Sequence, residues 1–115
     1  WGRVVHITSN APRIGTGYGP YTSAKGALDA YVRIVSKEVS RDGVIVSAVA
    51  PGIVHTPGRY YASLESKEQE AYFNKYIPIQ RFGRAEEVAK IVAFLSSEHA
   101  SYMAGSIVSI DGGAR

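Results

Sequence analysis

The 115-residue sequence contains no cysteine, so disulfides, thiolate metal sites, iron–sulfur clusters and cysteine nucleophiles are excluded. It also lacks an apolar run approaching the roughly 20 residues that cross a bilayer, so no transmembrane helix is predicted. A positively charged start followed by an apolar stretch and a small-residue cleavage site does not appear in these residues, so no secretory signal is expected. We therefore expect a cytoplasmic protein that does not contact a membrane.

A concentrated basic surface is missing as well. The formal net charge is +3, and the charges are scattered rather than gathered in a block. Nucleic acid is therefore not an expected partner. Hydrophobic residues make up 45% and charged residues 20%, which is the composition of an ordinary globular domain, and the length has room for one.

The segments that are present alternate between strand-like and helix-like patterns. Three nearly continuous apolar runs are typical of strands buried on both faces of a parallel sheet: residues 4–7, 44–50 and 106–110. Apolar residues at helical spacing predict helices over about residues 22–41, 65–75 and 85–96. The order β-α-β-α-α-β indicates an α/β fold, and the glycines and prolines of residues 10–20 predict a loop. Because the chain begins inside the first predicted strand and three strands leave an edge in need of a partner, we expect residues 1–115 to form a single partial domain.

Tyr21 and Lys25 form the pair with the clearest chemical potential. Four residues apart at a helix start, they share one face and are separated by about 6 Å along the axis. A lysine ammonium beside a phenol favours the phenolate and lowers the tyrosine pKa, so that the tyrosine can exchange a proton near neutral pH. The same spacing also fits an ordinary contact on a helix surface, and the pair alone does not separate the two interpretations.

Two further groups are expected at the same place. Ser9 ends the first predicted strand, and Pro51 and Gly52 end the second. Since ligands of open α/β sheets bind at the carboxyl ends of the strands, Ser9 and Tyr21 can meet at one rim. A Pro-Gly turn there is a structural necessity as well as a possible ligand contact.

Five stretches, in this order, resemble the C-terminal, catalytic half of the short-chain dehydrogenase/reductase family. They are a serine-ending strand at 2–9, a Tyr-x-x-x-Lys motif at 21–25, a Pro-Gly-x-x-x-Thr motif at 51–56, a helix motif at 81–97 and the ending at 105–113. The resemblance implies the C-terminal half of a Rossmann-like doubly wound parallel sheet. It also implies that the N-terminal dinucleotide-binding half, with its glycine-rich turn, is absent from these 115 residues.

The resemblance implies an oxidoreductase that transfers a hydride between NAD or NADP and a secondary alcohol or ketone. In that family Tyr21 would be the general acid/base, Ser9 would hold the substrate oxygen, and Lys25 would lower the Tyr21 pKa and bind the nicotinamide ribose. The cofactor-binding residues that it implies are Tyr21, Lys25, Pro51, Gly52, Val54 and Thr56. The aromatic segment 57–78 resembles a mobile lid of the family. The family pairs the helix at 22–41 across a subunit interface, so the resemblance also implies a homo-oligomer, a dimer or a tetramer.

Some alternatives remain open at this point. The family serine usually precedes the tyrosine by thirteen residues, whereas Ser9 precedes it by twelve, so Thr8 is the fallback for the catalytic hydroxyl. A serine hydrolase using Ser9 or Ser23 would need a Gly-x-Ser-x-Gly elbow, which is not in the sequence. The three histidines match no metal motif, so no metal site is expected. The alternative of a different class is a truncated, inactive fragment that acts at most as an oligomerisation or interaction module.

Overall fold

The computed structural model describes residues 1–58 and 63–114, which form one parallel three-stranded sheet with helices on both faces. The strands are β1 (Gly2–Ile7), β2 (Val44–Pro51) and β3 (Ile107–Ile110), in the order β1-β2-β3. The helices are α1 (Ala11–Ile14), α2 (Gly19–Val39), α3 (Ser66–Tyr76) and α4 (Ala85–Leu95), with short 3₁₀ turns at Ser40–Asp42 and Glu98–Ala100. None of the helices in these two described ranges is long and apolar enough to cross a membrane.

The central strand β2 organises two hydrophobic cores. Alternate residues of a strand point to opposite faces of the sheet. On one face Val46 and Ala48 pack with Val32 of α2. On the other face Val49 packs with Leu95 of α4. The predicted α/β fold with a doubly wound parallel sheet is therefore confirmed.

The expectation that all three strands are buried on both faces is confirmed only for β2. Residues 46–50 of β2 are all buried. In β1, by contrast, Val4 and Ile7 are 41% and 45% exposed, and Ser109 of β3 is exposed. The reason is position, because β1 and β3 lie at the two edges of the sheet while α2 and α4 pack chiefly over β2.

The prediction that residues 10–20 form a loop was wrong at both ends. The segment contains α1, and α2 begins at Gly19 rather than near residue 22. Pro12 and Pro20 lie in the first turns of these helices, where proline removes no helical hydrogen bond. The helix predicted to reach residue 41 ends at Val39 and passes into a 3₁₀ turn, whereas the other predicted bounds agree with the structure to within two residues.

The start of α4 is held by a cluster of ion pairs around Glu87. Its carboxylate accepts hydrogen bonds from the Arg81 guanidinium at 2.6 and 2.8 Å and from the backbone N–H of Arg84 at 2.9 Å. These bonds, the one from the Arg81 side chain first, lower the pKa of Glu87 from its ordinary 4.5 to about 2. The cluster therefore ties the segment before α4 to its first turn.

Replacing this carboxylate should change how stability depends on pH. Because the folded-state pKa of Glu87 is depressed, its stabilisation is fully present above about pH 4.5 and is lost as the pH falls towards 2. We expect Glu87→Gln to lower the free energy of unfolding at pH 7, and the difference from the wild type to shrink steadily below pH 4.5. Urea unfolding at pH 7, 4 and 3 measures this.

Glu86→Gln is the matched control, since Glu86 is an exposed glutamate in the same first turn of α4. It should cost little stability, and its cost should come from the helix dipole alone. A Glu87→Gln cost that stays constant from pH 7 to pH 3, or that equals the cost of the control, would contradict the assignment.

Candidate active site

The carboxyl ends of β1 and β2 stay paired beyond the end of β1. The N–H of Thr8 donates to the Val49 carbonyl at 2.8 Å, and the N–H of Asn10 donates to the Pro51 carbonyl at 3.0 Å. Ser9, between them, therefore lies beside the turn that follows β2. We call the end of the sheet at which the three strands finish the carboxyl edge. It comprises residues 8–10, 51–56 and 111–113.

Ser9 and Thr8, the two candidates for the catalytic hydroxyl, have different hydrogen bonds. The Thr8 hydroxyl is buried and donates to the Val49 carbonyl at 3.3 Å, so its proton is directed into the sheet. The Ser9 hydroxyl oxygen accepts the N–H of Ala11 at 3.1 Å, a bond that does not use the hydroxyl proton. Of the two, Ser9 has the hydroxyl that keeps a proton to donate to a further oxygen.

The first turns of α2 carry Tyr21 and Lys25. Tyr21 is 46% exposed, and the Lys25 Nζ lies 6.0 Å from the centre of its ring. The same Nζ donates to the Ile7 carbonyl at 2.7 Å. Since the N–H of Thr8 bonds Val49, the Ile7 carbonyl points away from β2, and Lys25 binds it at that outer side. The structure thus brings Lys25 to the end of the strand that leads into Ser9. The effect of Lys25 on proton exchange by Tyr21 stays a prediction.

The start of α2 is fixed by contacts with the preceding loop. The Thr22 hydroxyl donates to the Thr16 carbonyl at 2.7 Å, and the Thr22 N–H donates to the Tyr18 carbonyl at 2.8 Å. A Cβ added to Gly26 would lie 3.6 Å from the Pro12 side chain, so α1 and α2 pack closely. Tyr21 therefore projects from a helix end that is held on two sides.

The turn after β2 places the other sequence-predicted residues. Gly52 donates its N–H to the Ile110 carbonyl at 3.0 Å, which joins this turn to β3. Val54 forms an isolated parallel bridge with Gly83. The N–H of His55 donates to the Gly83 carbonyl, and the N–H of Gly83 donates to the Ile53 carbonyl. The N–H and C=O of Val54 itself therefore point away from Gly83. Thr56 lies beyond the bridge and is exposed, and its role toward a cofactor stays a prediction.

A buried carboxylate that sequence reasoning missed joins the ends of all three strands. The Asp111 side chain, only 9% exposed, accepts hydrogen bonds from the Arg13 guanidinium, from Asn10 Nδ2 at 3.4 Å and from the Gly113 N–H at 3.0 Å. A Cβ on Gly52 would lie 2.8 Å from the Cα and Cβ of Asp111. The available signal was that Asn10 and Asp111 are polar residues that come shortly after strands, but no local pattern pairs residues 101 positions apart.

The histidines and the aromatic segment are the remaining features that the sequence singled out. His6 stacks edge-on against Tyr31 at 5.7 Å. Across the described residues no group of three or more His, Cys, Asp or Glu side chains is arranged to hold a metal ion. In the predicted lid, Tyr60 and Tyr61 lie outside the described residues, while Phe73 packs edge-on against Phe82 at 4.8 Å.

This chain is similar to known proteins over nearly its whole length. A family model described as "Enoyl-(Acyl carrier protein) reductase" matches residues 1–115. Two proteins named 3-oxoacyl-[acyl-carrier-protein] reductase FabG are similar over 114 residues: the one from Pseudomonas aeruginosa is 38% identical and the one from Aquifex aeolicus 39%, each over 98% of this chain and 45% of the relative. A solved short-chain type dehydrogenase/reductase from Mycobacterium ulcerans superposes with a TM-score of 0.87 at 28% identity, over 96% of this chain and 40% of that one.

The fold defines an α/β protein with a doubly wound parallel sheet. The chain belongs to the short-chain dehydrogenase/reductase family. It spans less than half the length of the curated relatives named above.

The close approach of Gly52 to Asp111 predicts that no side chain is tolerated at Gly52. We expect Gly52→Ala to lower the free energy of unfolding by about 1–3 kcal/mol, because a Cβ there must push the backbone of Asp111 away. Gly19→Ala is the matched control, since nothing lies within 4 Å of the added Cβ and α2 begins there. Chemical unfolding of both variants tests this, and equal stabilities would contradict the predicted clash.

Proposed function

We propose that the protein carrying this chain is an NAD(P)-dependent oxidoreductase that interconverts a secondary alcohol and a ketone. The observation that supports this most is the grouping of Ser9, Tyr21 and Lys25. Lys25 is bound to the carbonyl of Ile7, two residues before Ser9, and Tyr21 lies one helical turn before Lys25. A hydroxyl donor, an exposed phenol and an ammonium are thereby available at one edge.

Each of the three side chains has a distinct role in the proposal. The Tyr21 phenol gives a proton to the ketone oxygen during reduction and takes it back during oxidation. The Ser9 hydroxyl donates its remaining proton to the same oxygen and holds it in place. The Lys25 ammonium, close to the phenol, favours the phenolate that forms when Tyr21 gives up its proton.

The residues present fit the nicotinamide end of a dinucleotide. The N–H and C=O of Val54 point away from Gly83 and can bond a carboxamide, which has both a donor and an acceptor. An ammonium has three donors, and the bond to Ile7 leaves Lys25 with two for ribose hydroxyls. The residues proposed to hold NAD or NADP are Tyr21, Lys25, Pro51, Gly52, Val54 and Thr56. When bound, the nicotinamide supplies or accepts the hydride.

The proposed substrate class is a small molecule with a ketone or a secondary alcohol. The relatives named as 3-oxoacyl-[acyl-carrier-protein] reductases act, by that name, on a group that contains a ketone. This supports a carbonyl oxygen as the group that Ser9 and Tyr21 receive.

The alternative of an inactive interaction module is not favoured, because the relatives that this chain resembles are named as reductases. A homo-oligomer of two or four copies remains part of the proposal. Tyr31 and Ile34, on the exposed side of α2, are 52% and 55% exposed, and a second copy would cover such apolar groups. A cytoplasmic location completes the proposal.

Removing the Tyr21 hydroxyl tests the proposed reaction. In the protein carrying this chain, Tyr21→Phe should lower kcat for ketone reduction by about 10²- to 10⁴-fold, the usual contribution of general acid–base catalysis. The free energy of unfolding should barely change, because this side chain is nearly half exposed. Near-full turnover by Tyr21→Phe would show that the acid/base assignment is wrong.

A comparison of Ser9→Ala with Thr8→Ala identifies the catalytic hydroxyl. Ser9→Ala should reduce kcat with a modest loss of stability. Thr8→Ala should mainly cost stability, about 1 kcal/mol for its buried hydrogen bond, and leave kcat close to that of the wild type. The reverse pattern would assign the catalytic role to Thr8.

A further inference from the structure

We propose that Asp111 is a positioning residue for Ser9. Its buried carboxylate holds Asn10 and Arg13 and thereby fixes α1, whose first N–H binds the Ser9 hydroxyl oxygen. The inference rests on the proposed function, in which Ser9 holds the substrate oxygen. Asp111 itself is not assigned any contact with substrate or cofactor.

The Asp111 carboxylate needs the hydrogen-bond partners that it has. A carboxylate that is nine-tenths buried is costly unless hydrogen-bond donors and an opposite charge surround it. Gly113 supplies one donor from the neighbouring backbone. The other two, the Asn10 amide and the Arg13 guanidinium, both belong to the segment that directly follows Ser9. The charge of Asp111 is therefore satisfied mainly by that segment.

Helix α1 depends on contacts with residues outside it. A helix of four residues is far below the length at which isolated helices persist in water. Asn10 occupies its N-cap, yet within the part of the chain that the structure describes its side chain makes no capping bond to α1. That side chain instead reaches Asp111, and the Ser9 hydroxyl oxygen accepts the N–H of Ala11. The position of α1 and the orientation of the Ser9 hydroxyl are thus coupled.

Asp111 is itself held in place by the neighbouring strands. It directly follows β3, and its backbone lies so close to Gly52 that an added Cβ would be 2.8 Å away. The N–H of Asn10 also bonds Pro51 at the same turn. Asp111 therefore holds the loop after β1 in a fixed position relative to β2 and β3. A displacement of the order of 1 Å at a catalytic group can cost about 100-fold in rate, so losing this anchor should be visible in turnover.

The experiment is a double-mutant comparison in the protein carrying this chain. Asp111→Asn keeps the size of the side chain and removes its charge, and it should lower kcat/KM for ketone reduction by about tenfold or more. In a Ser9→Ala background the same substitution should change kcat/KM by less than about twofold, because the group through which Asp111 acts is already gone. Arg41→Ala is the matched control and should leave kcat/KM unchanged. Arg41 is an exposed arginine just before β2, at the end of the sheet opposite the carboxyl edge.

A second measurement does not depend on activity. Amide hydrogen exchange at Ile14 and Gly15, whose N–H groups bond within α1, should rise about tenfold or more in Asp111→Asn while exchange in α4 stays as in the wild type. If Asp111→Asn does not fold, Arg13→Gln provides the same two measurements at an exposed side chain.

The outcomes separate this proposal from the proposed function. Equal losses of kcat/KM in both backgrounds, or unchanged exchange in α1, would overturn the positioning role of Asp111 while Tyr21→Phe could still support the reaction. Full turnover by Tyr21→Phe and Ser9→Ala would overturn the proposed function. A rise in exchange confined to α1 would, even then, support the hold of Asp111 on the loop.

Discussion

The parallel pairing of β1 with β2 is the interaction on which the rest of the structure depends. It continues past the end of β1, through backbone hydrogen bonds, as far as Asn10 and Pro51. β2 is buried along residues 46–50, with α2 packed on one of its faces and α4 on the other. Because the strands run in the same direction, the polar residues that follow them arrive at one edge. The site is therefore a consequence of how the hydrophobic core is built.

At that edge, the segments are held by ion pairs and hydrogen bonds rather than by apolar packing. Lys25 binds the outer carbonyl of β1, and Asp111 draws in the loop that follows the same strand. These two contacts lie on either side of Ser9 in the chain. A hydroxyl and a phenol on short, mobile segments would make a poor catalytic pair, whereas here each is carried by a segment with its own anchor.

The sequence was most informative where a local repeat pattern determines structure. Apolar runs located the strands, and the four-residue spacing of Tyr21 and Lys25 placed both on one turn of α2. It was least informative where structure depends on distant partners. The prolines that suggested a loop at 10–20 lie in helix first turns, and α1 is too short to show periodicity. The contact of Arg13 with Asp111 joins residues 98 positions apart, and the choice between Thr8 and Ser9 required the direction of each hydroxyl bond.

The central claim is that the carboxyl edge receives both the dinucleotide and the ketone. Its most direct test is backbone amide NMR of the protein carrying this chain, titrated first with NADPH or NADH and then with a ketone that it reduces. The account predicts that, within this chain, chemical-shift changes concentrate at residues 8–10, 21–25 and 51–56. Changes that concentrate instead at the opposite edge, around residues 40–44, would contradict it.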